Sequence, residues 1–198
     1  MLTNTTVAGV FRPSEKKRAA IYDIILIVGG SLLIGLCAQI AVQLPFSPVP
    51  VTGQTFAVLM IGTLLGARRG SLCVLAYLAE GTMGLPVFAM GRMGPAVLFG
   101  PTGGYLAGFA AAAYVTGLLA EKGWDRKVGT TILAMILGNV CIYAFGLFWL
   151  TCLTNIKTAA TVGLYPFVVG EVLKIALVVA ILPTGWKLLN SKLGGGIN

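Results

Sequence analysis

Residues 24–67 read IILIVGGSLLIGLCAQIAVQLPFSPVPVTGQTFAVLMIGTLLGA, with no Asp, Glu, Lys or Arg between Asp23 and Arg68. A helix that crosses a bilayer needs about 20 consecutive apolar residues. This stretch holds two of them, divided at Pro45-Phe46-Ser47-Pro48-Val49-Pro50, a run too rich in proline to be helical. The rest of the chain agrees. It has 198 residues, 57% of them hydrophobic and 10% charged, with a mean hydropathy of +0.92; soluble domains carry about 25% charged residues. The sequence therefore predicts an all-α integral membrane protein made of one membrane domain.

The boundaries follow from glycine, proline and charge. Residues 1–18 are expected to be a short cytoplasmic tail with a basic cluster, Lys16-Lys17-Arg18. Six transmembrane helices are expected over about 21–44, 52–67, 71–85, 101–120, 128–153 and 166–189, the second stopping at Arg68-Arg69-Gly70. The first apolar run is too long for a secretory leader, whose core is about 7–15 residues, so it is expected to be a retained helix. With the N-terminus inside, the inner segments hold Arg12, Lys16, Lys17, Arg18, Arg68, Arg69, Lys122, Arg126, Lys127, Lys187 and Lys192, and the outer ones only Arg92 and Lys157. That is a positive-inside pattern. It predicts both termini in the cytoplasm of a multi-pass plasma-membrane protein.

Composition also excludes. The net charge of +8 is explained by these loops, and the charges are not gathered with aromatic residues as nucleic-acid binding requires. Histidine is absent, which removes most zinc sites and every histidine-based triad. Cys37, Cys73, Cys141 and Cys152 lack metal-ligand spacing and read as small packing residues. No nucleophile–base pair marks an intramembrane enzyme, and no phosphate-binding loop marks an ATPase. No cofactor or metal is expected.

In this topology the second, fourth and sixth helices all begin at the outer face. Helix N-termini carry partial positive charge and unpaired N–H groups, so three together favour an anionic or hydrogen-bond-accepting ligand. Thr52 and Gln54 stand at the first of these ends, and Tyr105 follows Gly100-Pro101-Thr102-Gly103-Gly104 at the second. The third opens Pro166-Phe167-Val168-Val169-Gly170-Glu171-Val172-Leu173-Lys174. Glu171 and Lys174 are three apart and share a face. They lie roughly 8 and 12 Å along the helix from Pro166, a depth at which ionisable groups face a cavity or a partner. Side by side they both accept and donate hydrogen bonds, as a urea-like or amide-like ligand needs. Arg92, alone in an outer loop, suits a ligand carboxylate or is a solvated loop charge. Asn139 and Tyr143 share a face of the fifth helix. Trp149 lies further toward the outside, as a cavity wall or an interfacial belt residue. Glu80, within the third helix, has no assigned role. Ser31 and Gly35 form a small-x-x-x-small pair that permits close helix contact, within the chain or with a partner.

The runs Pro45 to Thr55, Gly84-Leu85-Pro86-Val87-Phe88-Ala89, Gly100 to Phe109 and Pro166 to Lys174 together resemble the BioY family, in order, over most of the chain. The resemblance implies a biotin-binding S component of an energy-coupling factor transporter, a six-helix bundle with an outward-facing cavity. Its implied partners are biotin, a membrane T component and two cytosolic ATPases. It makes Ser31 and Gly35 candidates for the T-component surface. One departure stands out: the family phrase carries Gly-Asp before the lysine, and here it is Gly170-Glu171. Biotin suits the residues singled out. Glu171, Lys174, Asn139 and Gln54 match its ureido ring, Tyr143 and Trp149 its apolar parts, and Arg92 or a helix N-terminus its carboxylate. Two further readings stand beside this one, a self-sufficient oligomeric biotin carrier and an S component for another vitamin.

Overall fold

The computed structural model describes residues 5–194, with side chains to Ser191, so residues 1–4 of the expected tail and the Lys192 side chain lie outside it. A short helix, α1 (Val7–Val10), is capped by the Thr6 hydroxyl and precedes the long α2 (Lys16–Gln39). Two short strands, β1 (Ala41–Val42) and β2 (Val51–Thr52), pair antiparallel. Then come α3 (Gln54–Leu65), α4 (Ala67–Thr82), α5 (Ala96–Phe99), α6 (Gly103–Glu121), α7 (Val128–Leu153), α8 (Ile156–Gly163) and α9 (Val168–Gly194). Six of these, α2, α3, α4, α6, α7 and α9, carry the chain back and forth through the bundle. Among the described residues, four stretches are long and apolar enough to cross a membrane: Lys16–Gln39, Gly103–Glu121, Val128–Leu153 and Ile156–Ser191.

Of the two shorter crossings, α4 shows Leu72 and Leu75 at the surface, whereas α3 is sheltered by protein. In α3 the run Ala57–Ile61 is buried throughout, so neighbouring helices rather than lipid surround its ends. Non-helical backbone at membrane depth is tolerated in that setting. By contrast α2 is the outer helix, showing Ile24, Ile25, Leu32 and Leu36.

Several boundaries differ from the sequence expectation, each for a local reason. The first crossing starts at Lys16 and ends at Gln39 rather than spanning 21–44. Pro45 disfavours helical backbone at the residue before it, and the chain from Ala41 pairs instead with Val51–Thr52. The second and third helices part at Gly66, not at Arg68-Arg69-Gly70. Gly66 adopts φ 89°, a left-handed conformation that glycine takes without steric cost, while charge marks a boundary with water without breaking a helix. Arg68, Arg69 and Gly70 therefore fall in the first turn of α4. The expected tail is partly helical, and the loop after residue 153 contains α8, capped by the Asn155 side chain. The fifth helix runs over 128–153 as expected.

Small residues set the helix spacing. A Cβ at Gly108 of α6 would stand 2.9 Å from Ile142 Cα of α7, and one at Gly70 of α4 would stand 2.7 Å from Gly62 Cα of α3. Glycine at such crossings lets backbones meet.

Candidate functional site

At one end of the bundle the N-termini of α3, α6 and α9 converge on a cavity. Gln54, Thr102 and Phe167, at or beside those three helix starts, all line it. The β1–β2 hairpin and the segment 86–100 close over it: Val49, Pro50 and Thr52 come from the first, Phe88, Ala89, Arg92 and Val97 from the second. The three helix ends foreseen from topology thus meet at one place, and their unpaired N–H groups give it positive character.

Glu171 and Lys174 sit side by side in the wall of this cavity, their Oε1 and Nζ 2.7 Å apart. The Thr55 hydroxyl completes a closed triad. It donates to Glu171 Oε1 at 2.8 Å and accepts from Lys174 Nζ at 2.8 Å. Glu171 is buried, 6% exposed, and its other carboxylate oxygen, Oε2, has no partner among the described residues. An ion pair held in a dry wall is costly unless its remaining valences are met, and here one carboxylate oxygen and the remaining ammonium hydrogens are left open beside the cavity.

The other walls are built by neighbours. Gln54 is aimed by Thr52, whose hydroxyl donates to its Oε1 at 3.0 Å, and by Tyr77, whose phenol oxygen accepts from its Nε2 at 2.6 Å. Tyr105 and Tyr143 meet edge to face with centroids 6.1 Å apart. Tyr105 donates to the Gly163 carbonyl at 2.8 Å, which ties α8 to α6. Phe88 stacks edge-on against Tyr77. Arg92 is exposed at the mouth; among the described residues its guanidinium meets Met90 Sδ, at 3.8 Å, and no carboxylate. Gln39 pins the covering segment, accepting from the Gly91 N–H at 3.0 Å and donating to the Phe88 carbonyl at 3.2 Å.

Of the residues singled out by sequence, Glu171, Lys174, Tyr143, Gln54, Thr52, Arg92 and Tyr105 line this one cavity. Asn139 and Trp149 are not among its lining residues. Asn139 lies one turn deeper along α7, buried, with both amide atoms unpartnered among the described residues. Trp149 donates its indole N–H to the Gly100 carbonyl at 2.9 Å and packs where Gly104 leaves room, fastening α7 to the start of α6. Ser31 and Gly35 present no surface to a partner here. Ser31 is fully buried and donates to Glu80 Oε1 at 2.7 Å, and a Cβ on Gly35 would meet Val87 at 3.3 Å. Their smallness serves contact within the chain, and Glu80 acquires a role as the acceptor that joins α4 to α2. The sequence reading missed Thr55 and Phe167. Both lie inside runs it had quoted, and a hydroxyl one residue past Gln54 was the available signal for Thr55.

The BioY family model matches residues 13–191. The chain belongs to the BioY family. A biotin transporter BioY of Thermotoga maritima is 40% identical over 166 residues, covering 83% of this chain and 90% of the relative. One of Rhizobium etli is 39% identical over 160 residues, covering 77% and 85%. Among solved structures, the S-component for biotin from an ECF-type ABC transporter superposes with a TM-score of 0.77 at 26% identity, covering 88% of this chain and 95% of that one. The family membership agrees with a multi-pass bundle of six membrane helices.

Proposed function

We propose that this chain is the substrate-capture subunit of an energy-coupling factor importer, taking biotin from the outer face of the cell membrane. Its relatives are named biotin transporters, and the single observation that carries the reading is the layout of charge in the cavity. The Glu171–Lys174 pair is neutral in sum and offers an acceptor beside a donor, while Arg92 is unpaired at the mouth. A ligand with a urea-like head and one carboxylate at the far end of an apolar body answers each of these. The biotin ureido N–H groups donate to Glu171 Oε2 and its carbonyl accepts from Lys174. Its carboxylate pairs with Arg92, and its ring and chain lie along Tyr105, Tyr143 and Phe167. Gln54, held by Thr52, supplies a further polar edge. Asn139 and Trp149 contribute from behind the wall, Asn139 with an unpartnered amide and Trp149 by fixing α7.

The cavity as it stands holds only about 50 Å³, against roughly 300–1,000 Å³ for pockets of small organic ligands. Capture on this reading calls for one of the two covers, the β1–β2 hairpin or the segment 86–100, to move outward and close again. No bond is made or broken on this chain, and ATP hydrolysis belongs to two cytosolic ATPases joined through a membrane T component. Both termini are assigned to the cytoplasm.

Calorimetric titration of biotin-depleted protein with biotin, thiamine and riboflavin tests this. Tight binding of biotin alone is expected, weakened about 100-fold in Glu171→Gln and Lys174→Met, since each change leaves a buried charge or donor without its partner. Unchanged affinity in both folded variants, or equal binding of the three vitamins, sinks the assignment.

A further inference from the structure

A second cavity, of about 690 Å³, opens at the opposite end of the bundle, beside α1 and the first turns of α2 and α4. Its rim is basic, with Arg12, Arg68 and Arg69. Asp23 takes up two of these, lying 2.8 Å from Arg12 Nη2 and 2.8 Å from Arg69 Nε. Glu121, also in the lining, directs Oε1 to the Ala67 N–H at 2.9 Å. Arg68 is exposed and makes no hydrogen bond or ion pair among the described residues, so the rim keeps a free cation. Below the rim the wall turns apolar. Ile24 and Leu72, 60% and 40% exposed, face outward from adjoining helices. In a membrane those two side chains stand among acyl chains.

From a basic rim directly above an apolar, lipid-facing wall, we infer that this cavity is a binding site for the headgroup of an anionic phospholipid, its phosphate on Arg68 and Arg12 and its acyl chain along Ile24 and Leu72. Basic pockets between membrane helices select anionic headgroups in this way, and guanidinium groups suit phosphate by bidentate geometry. Arg12 and Arg69, already fixed by Asp23, present their remaining N–H groups with little loss of freedom. The site is independent of the vitamin cavity and requires only that the bundle sit in a bilayer.

Native mass spectrometry of the full chain, released from micelles doped with phosphatidylglycerol or with phosphatidylcholine, tests the inference. One retained phosphatidylglycerol is expected, favoured about fivefold or more over phosphatidylcholine, the worth of one basic residue at an anionic surface. The preference should disappear in Arg68→Gln and shrink in Arg12→Gln, and persist in Lys187→Gln, an exposed lysine at the same end outside the cavity. Equal retention of the two lipids, or equal losses in all three variants, overturns it. Displacement by inorganic phosphate alone also overturns it, marking a free-anion site. Biotin titration of the same samples reports separately on the other cavity, so the two readings fail independently.

Discussion

Thr55 decides how the Glu171–Lys174 pair is held. An i,i+3 pair on a helix is worth only a few tenths of a kcal/mol when solvated, and its rotamers stay loose. A hydroxyl from another helix that accepts from the ammonium and donates to the carboxylate fixes both ends. Thr55→Val keeps the shape and removes the hydroxyl. A hydrogen bond to a charged group is worth about 1.5–3 kcal/mol, so biotin affinity should fall roughly 10- to 100-fold, and Thr55→Ser should restore most of it. Titration of the three proteins checks this; equal affinity in Val and Ser variants would show that the pair needs no third member. Glu171 itself is one methylene longer than the aspartate of the family phrase. Its Oε1 meets both Thr55 and Lys174, while Oε2 has no partner among the described residues.

Between elements, α9 is held a second time, at the end away from the Glu171–Lys174 cavity. In the turn between α6 and α7, Asp125 is buried and accepts a hydrogen bond from Trp186 of α9, while the Arg126 guanidinium lies 4.5 Å above the Trp186 ring. Burial pushes the Asp125 carboxyl above the ordinary carboxylate range, against the opposing effects of Trp186 and Arg126. The folded state therefore binds this proton more tightly than the unfolded chain does. Its contribution to stability is full below the unfolded value of 3.8 and is lost as pH rises through the higher folded value. Thermal unfolding in detergent should show the wild type losing ground to Asp125→Asn as pH rises above 3.8, because the amide still accepts from Trp186 and never ionises. A constant difference between the two proteins across that range would remove Asp125 as the cause.

For the whole molecule, six crossings leave the described ends of the chain together: Arg126 donates to the Thr5 carbonyl and its neighbour Asp125 holds Trp186. The Glu171–Lys174 cavity, the proposed vitamin site, opens at the other end. Sidedness is then one binary choice, and the loop charges predict that Lys157 lies outside and Lys187 inside. In a cysteine-free background, a cysteine at position 157 should react with a membrane-impermeant maleimide added to intact cells, and one at position 187 only after lysis. The reverse labelling would put the vitamin cavity on the cytoplasmic side and end the uptake reading.

Hydropathy and charge spacing by themselves determined the membrane setting, the number of crossings and the order of their loops. These follow from the cost of burying charge and unpaired backbone in hydrocarbon, which acts residue by residue along the chain. The same cost made Glu171 and Lys174 legible, since an ionisable pair in an apolar helix needs a reason. Only the tertiary structure decided that Thr55 completes that pair, that Trp149 and Asn139 stand behind the cavity wall, and that Ser31 and Gly35 are spent on Glu80 and Val87. Threonine, glycine and tryptophan cost little wherever they sit in a membrane helix, so their roles are fixed by which neighbour the packing brings within reach, and that neighbour lies tens of residues away in the chain.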